Sequence, residues 1–96
     1  MNEKRFEMKI RKELEKYNAW VLKTWSNGIQ RSGIPDLIIC LNGHFVGIEV
    51  KAEKGKPSEL QKYNIKKIKE AGGIAMIVYP DDFEDIKKLL EQLNYE

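Results

Sequence analysis

Residues 33–52, GIPDLIICLNGHFVGIEVKA, decide the fold. Asn42-Gly43 separates two apolar runs, Leu37 to Leu41 and Phe45 to Lys51, and an Asn-Gly pair in that setting signals a two-residue hairpin turn. With Asn42 and Gly43 as the loop, Leu41 faces His44 and Leu37 faces Ile48. One step further, Asp36 faces Glu49. Directly opposed residues have Cβ atoms roughly 4.5–5.5 Å apart, so this register sets two carboxylates side by side at the end of the hairpin. Lys51 follows Glu49 by two residues, on the same face and about 7 Å further along. Gly47 lies on that face too and is expected to leave open space beside the acids.

The hairpin is apolar on both sides. Leu37, Ile39, Val46, Ile48 and Val50 occupy one face; Ile38, Cys40 and Phe45 occupy the other. A sheet buried on both sides needs helices on both sides. The flanking sequence supplies them. From about Glu3 to Asn18, Phe6, Ile10, Leu14 and Tyr17 recur at helical spacing. Ala19 to Trp25 reads as a strand, followed by a polar loop from Ser26 to Ser32. After a loop bearing lysine and glycine, a helix from Ser58 to Ala71 stops at Gly72-Gly73. Ile74 to Tyr79 reads as a buried strand. Pro80-Asp81-Asp82 opens a last helix carrying Phe83, Ile86, Leu89, Leu90 and Leu93. The order is αβββαβα, and the terminal strand–helix–strand unit predicts a parallel neighbour for the last strand. These elements describe one domain, residues 1–96: a small three-layer α/β sandwich around a mixed four-stranded sheet.

Composition narrows the function classes. A chain of 96 residues, 42% hydrophobic and 33% charged, reads as a globule and not as a disordered tail. No run approaches the roughly 18 apolar residues of a membrane span, and the charged N-terminus shows no signal peptide, which predicts an intracellular protein. One cysteine and one histidine rule out an internal disulfide and a zinc-ligand cluster. A net charge of +2 is too small for a chain that coats nucleic acid. However, Lys51, Lys54, Lys56, Lys62, Lys66, Lys67 and Lys69 crowd the middle third. Such a surface binds phosphates without sequence readout, or is simply a solvated helix face.

Paired carboxylates followed by a lysine suit one chemistry well. A hard cation such as Mg²⁺ takes oxygen ligands, lowers the pKa of a water and stabilises charge on a phosphoryl oxygen. A nearby ammonium helps to position the attacking water and to balance the developing charge. On the register alone, an incidental acidic pair relieved by Lys51 remains an equal alternative. Three other residues invite structural readings. His44 is expected as an exposed strand start, Cys40 as core, and Trp25 as a packing residue. Trp20 and Trp25 differ in parity, so at most one enters the core.

Gly33-Ile34-Pro35-Asp36 and Ile48-Glu49-Val50-Lys51-Ala52 resemble the P-D…E-x-K signature of restriction-endonuclease-like nucleases. The chain is most similar to the VRR-NUC branch of that superfamily. The likeness also takes in a glutamate in the first helix and Ser58-Glu59-Leu60-Gln61 opening a helix that ends at Glu70-Ala71-Gly72-Gly73. The namesake Val-Arg-Arg tripeptide is absent; Ile48-Glu49-Val50 fills that strand.

The resemblance implies a metal-dependent endodeoxyribonuclease using Mg²⁺ or Mn²⁺. Asp36, Glu49 and the main-chain carbonyl of Val50 become metal ligands, and Lys51 the water-activating or phosphate-neutralising lysine. Gln61 becomes the helix glutamine that reaches the catalytic centre, although Ser58 to Gln61 is also a capping box that needs no such role. Glu7, at the edge of the buried stripe, is preferred to Glu3 as the first-helix acid. Lys54, Lys62, Lys66 and Lys69 are the expected nucleic-acid contacts.

The resemblance further implies a homodimer acting on branched DNA such as four-way junctions, in a cytoplasmic enzyme of phage or prophage type. Trp20, Trp25, Tyr79, Phe83 and Tyr95 exceed what a two-sided small sheet needs, so leftover apolar surface is expected at a two-fold interface. The N-terminal half, with the loop from Ser26 to Ser32, is expected to contribute to it. A non-catalytic nucleic-acid-binding module with the same fold is the alternative function.

Overall fold

The computed structural model describes residues 1–25 and 33–95. The Asn42-Gly43 turn has φ of +52° and +82°, the left-handed pair that a two-residue hairpin turn requires and that Asn and Gly adopt most readily. It joins β2, Leu37–Leu41, to β3, His44–Val50, with Leu37 opposite Ile48 and Leu41 opposite His44. The register is the expected one. Asn42 also ties the turn to the last helix, donating from Nδ2 to the Leu93 carbonyl at 3.0 Å.

Strand β1, Ala19–Lys23, pairs antiparallel with β2, and β4, Ile74–Val78, pairs parallel with β3. The sheet order is β1-β2-β3-β4, so β1 and β4 are its edges. Helix α1, Glu3–Leu14, ends earlier than its apolar periodicity suggests; Tyr17 packs against the core from the turn that follows. Helix α2 spans Glu59–Glu70, and α3, Phe83–Tyr95, follows a 3₁₀ turn at Pro80–Asp82. The expected loop from Ser26 to Ser32 lies outside the described residues.

Three helices and four strands thus follow in the order αβββαβα, in three layers. Helices α1 and α3 cover one face of the sheet. Phe6, Ile10 and Leu14 from α1, together with Ile86, Leu90 and Leu93 from α3, close over Leu37, Ile39, Leu41, Val46, Ile48 and Val50. Helix α2 covers the other face, and it approaches closely over β3. A Cβ built on Gly47 would stand 3.2 Å from Ile68 Cδ1 and 3.3 Å from Pro35 Cγ. The space expected beside the carboxylates at Gly47 is therefore filled by the helix and by Pro35. A side chain there would crowd both neighbours.

Among the described residues the second face is only half covered, which corrects the expectation that both faces of the hairpin are buried. Helix α2 spans β3 and β4, and no described element covers the β1–β2 half. Cys40 is exposed and not core. Phe45 is 44% exposed, Leu22 43% and Trp20 61%, all on this side of the sheet. Trp25 is exposed as well, with Lys23 Nζ 5.4 Å from its ring centroid. His44 is half-buried.

The two faces should respond differently to truncation. Ile48→Ala empties a fully buried site and is expected to cost about 2–4 kcal/mol in urea unfolding. Cys40→Ser, on the open face, should change stability by no more than about 0.5 kcal/mol. Equal losses would contradict the half-covered sheet.

Candidate active site

The site assembles at the ends of β1, β2 and β3, where Thr24 follows β1. Its backbone N–H donates to the Asp36 carbonyl at 2.9 Å. Its hydroxyl donates to the Pro35 carbonyl at 2.9 Å and to the Asp36 carbonyl at 3.2 Å. Pro35 has no N–H to offer, so these bonds from a buried threonine hold the Pro35-Asp36 backbone where the ladder runs out. Sequence reading missed Thr24; the only available signal was the β1–β2 register, which the intervening loop leaves undetermined.

Asp36 lies one step past the Leu37–Ile48 pair, where continuing the register sets it opposite Glu49. Its Oδ2 accepts the Val50 N–H at 2.8 Å, which fixes the carboxylate across the strand end. In an extended strand the N–H and C=O of one residue point to the same edge. The Val50 carbonyl therefore looks toward Asp36 as well. The next amide, of Lys51, turns the other way and donates to the Val78 carbonyl at 2.9 Å.

Glu49 is 2% exposed. Its Oε2 accepts from Lys51 Nζ at 3.2 Å and from Gln61 Nε2 at 2.9 Å. Its Oε1 is buried with no hydrogen-bond partner among the described residues. Burial, then the charge of Asp36, raises the Glu49 pKa to about 7 against the opposing pull of Lys51, and Glu3 adds to the rise. A buried acceptor without a partner costs about 1–3 kcal/mol, more when charged, and calls for an explanation.

Gln61 uses both ends of its amide. Oε1 accepts the Ser58 N–H at 2.8 Å while the Ser58 hydroxyl accepts the Gln61 N–H at 3.1 Å, closing a capping box. Nε2 is left over and reaches Glu49. The capping role and the reach into the site coexist in one side chain.

These donors fit a hard divalent cation. Asp36 and Glu49 supply carboxylate oxygen, one atom of which is orphaned and buried, and Val50 a carbonyl on the same side. Among the described residues no group of three or more His, Cys, Asp or Glu side chains gathers to hold a metal. Two carboxylates and one carbonyl would leave the remaining positions of such a cation to water or other oxygen ligands.

A family model described as the VRR-NUC domain matches residues 1–81. The chain belongs to the VRR-NUC family. A solved structure described as a VRR_NUC domain is 27% identical, with a TM-score of 0.71 over 93% of this chain and 94% of that one. No curated protein matches the chain. VRR-NUC membership implies nuclease-type function, a nucleic-acid substrate and use of a divalent metal by the family in general. The family match stops at residue 81, before α3, whose Ile86, Leu90 and Leu93 nevertheless complete the core over the VRR-NUC sheet. No helix among the described residues is long and apolar enough to cross a membrane.

The other expected site residues spread around this centre. Glu7 is buried in a pair with Lys23, Nζ to Oε1 at 2.6 Å, and lies 4.0 Å from Arg11. The first-helix acid whose charge is felt at Glu49 is Glu3. Lys54 is exposed in the loop after β3, near Gly55, whose carbonyl accepts from the Tyr79 hydroxyl at 3.0 Å. Lys62, Lys66 and Lys69 are exposed on α2.

The raised Glu49 pKa makes metal-free stability depend on pH. Between the ordinary value of 4.5 and the folded value of about 7, the unfolded chain has lost its proton while the folded chain still holds it. Stability therefore falls as pH rises through that window. Urea midpoints in EDTA should fall between about pH 4.5 and about pH 7 in the wild type, and Glu49→Gln should flatten that fall. A variant profile parallel to the wild type would show Glu49 to be unstrained.

Proposed function

We propose that this VRR-NUC chain is a Mg²⁺- or Mn²⁺-dependent endodeoxyribonuclease that hydrolyses phosphodiester bonds in branched DNA, four-way junctions included. One observation carries the reading: the buried Oε1 of Glu49 has no partner among the described residues, the charge of Asp36 bears on the same carboxylate, and the Lys51 ammonium lies 3.2 Å from its other oxygen. A structural ion pair needs no vacant buried oxygen; a metal ligand does.

Asp36, Glu49 and the Val50 carbonyl hold the cation, which when bound polarises a phosphoryl oxygen and lowers the pKa of a water. Lys51, its side chain 12% exposed, is kept at the site by Glu49 and presents a fixed positive charge to the scissile phosphate. Gln61 orients Glu49 from the helix start. Glu7 is a positioning residue in this scheme: it anchors Lys23, whose neighbour Thr24 holds the Asp36 backbone. Lys54, Lys62, Lys66 and Lys69 contact phosphates away from the bond that breaks.

The homodimer belongs to the same proposal. Trp20, Leu22 and Phe45 form an uncovered apolar surface on one side of the sheet, beside the edge strand β1. A two-fold contact there would bury it and present two sites to two strands of one junction. A phage or prophage enzyme working in the host cytoplasm is the setting that this reading fits.

The decisive experiment incubates the protein with linear, flapped, single-stranded and four-way DNA, with Mg²⁺ or Mn²⁺ and then with EDTA. Cutting that EDTA abolishes is expected; binding without cutting would instead mark a non-catalytic module. Asp36→Asn and Glu49→Gln should remove cleavage while preserving the fold, with metal-free melting temperatures unchanged or higher. Lys51→Ala should abolish turnover with little loss of DNA affinity, and a merely graded loss of binding would show its role to be misassigned. Sedimentation at micromolar concentration should give about twice the 11.2 kDa chain mass.

A further inference from the structure

Tyr79 stands just past the end of β4, beside the strand that leads into Lys51. It is half-buried, and its hydroxyl donates to the Gly55 carbonyl at 3.0 Å, a bond between residues 24 positions apart. The Gly55 N–H closes a turn on the Ala52 carbonyl at 2.9 Å. Gly55 in turn lies against the stem of Lys51. A Cβ built on it would stand 3.3 Å from Lys51 Cδ and 3.3 Å from the Ala52 carbonyl oxygen, so the missing side chain is what lets the turn come so near.

Tyr79 is itself held at both of its main-chain groups. Its N–H donates to Asp82 Oδ2 at 2.8 Å, and its carbonyl accepts the Asp82 N–H at 2.8 Å. One residue earlier, the Val78 carbonyl accepts the Lys51 N–H at 2.9 Å. The end of β4 thus meets Lys51 twice, at its backbone directly and at its stem through Gly55.

We propose that Tyr79 is a positioning residue for Lys51: its hydroxyl pins the turn from Ala52 to Gly55 against the lysine stem and so fixes where the ammonium stands. The inference rests on the nuclease reading of Asp36, Glu49 and Lys51. A lysine side chain is a flexible four-carbon stem with much rotamer freedom to lose. The ion pair with Glu49 restrains only its tip. A wall at Cδ removes the rotamers that swing the stem aside, and a charge placed before the reaction needs no reorganisation during it. The bond goes to a main-chain carbonyl, so it holds the path of the turn and not a side chain that can rotate away. Lys54, exposed on the same turn, is the other group that the bond could serve.

The test is Tyr79→Phe, which removes one oxygen and keeps the ring. NMR in EDTA, where nothing is cut, reads the Lys51 side chain directly. The wild type should show contacts between the Lys51 δ-methylene and the Gly55 α-protons; the variant should lose them and gain motion along the Lys51 methylenes. With Mg²⁺ and saturating DNA, the single-turnover rate should fall about threefold to tenfold, the equivalent of one neutral hydrogen bond, while DNA affinity in EDTA stays at the wild-type value. Leu93→Val takes stability from the far end of the sheet, beside the Asn42 turn, and should leave the rate unchanged. Lys51 equally ordered in both proteins overturns the proposal. So does a loss of affinity at an unchanged rate, which would assign the bond to Lys54 and the grip on DNA. Wild-type protein that cuts no DNA sinks the nuclease reading alone, because the NMR comparison still decides whether Tyr79 orders Lys51.

Discussion

The opposition of Asp36 and Glu49 across a hairpin end is the constraint around which the rest of the molecule is organised. Two carboxylates at adjacent positions repel each other, and here one of them is nearly sealed from water, so the ionised pair is costly. The opposition is imposed from the far end of the hairpin, where Asn42 and Gly43 turn the chain with left-handed backbone angles. The repulsion is tolerated because the turn, the α3 contact and the core on the other side of the same strands all fix the same register. A slip of one residue would move Leu37, Ile39, Val46 and Ile48 out of the core. Hydrophobic burial on one face of the hairpin thus holds electrostatic strain on the other.

The compensating groups come from separate parts of the chain, each with an ordinary structural reason to be where it is. Lys51 is the next residue but one on Glu49's own face. Gln61 arrives because a capping box starts α2 beside the strand end, and only its amide nitrogen remains free to reach the carboxylate. Thr24 arrives because β1 pairs with β2 one step beyond Lys23. None of them lowers the Glu49 pKa to the usual carboxylate range. A divalent cation, which the family in general uses, would satisfy the remaining oxygen and offset both charges together.

Much of this was legible in the sequence, for identifiable reasons. The Asn-Gly turn carries its own register, so the facing of Asp36 and Glu49 followed from counting, and the parity of Leu37 to Val50 named the buried face correctly. Less could be read where the signal was apolar character without a partner. Ile38, Cys40 and Phe45 look like core residues, but whether they are covered depends on the width of the layer above them. A single helix cannot roof four strands. Gly47 looked like room for a ligand, whereas its missing side chain admits Ile68 and Pro35. The first-helix acid was ambiguous because helical periodicity places Glu3 and Glu7 on neighbouring lines, and only the tertiary arrangement pairs Glu7 with Lys23 and lets Glu3 act on Glu49.

The double engagement of Gln61 has a consequence for motion as well as for position. One amide closes the first turn of α2 and bonds the buried carboxylate, so fraying of that helix end and reorientation of Glu49 are a single event. A cation held on Oε1 that shifted Glu49 would also pull on the Gln61 bond to Oε2, and that shift would be felt at the start of the helix. The exchange of the first α2 amides with solvent, a local opening usually governed by the cap alone, would then gauge the position of the buried carboxylate.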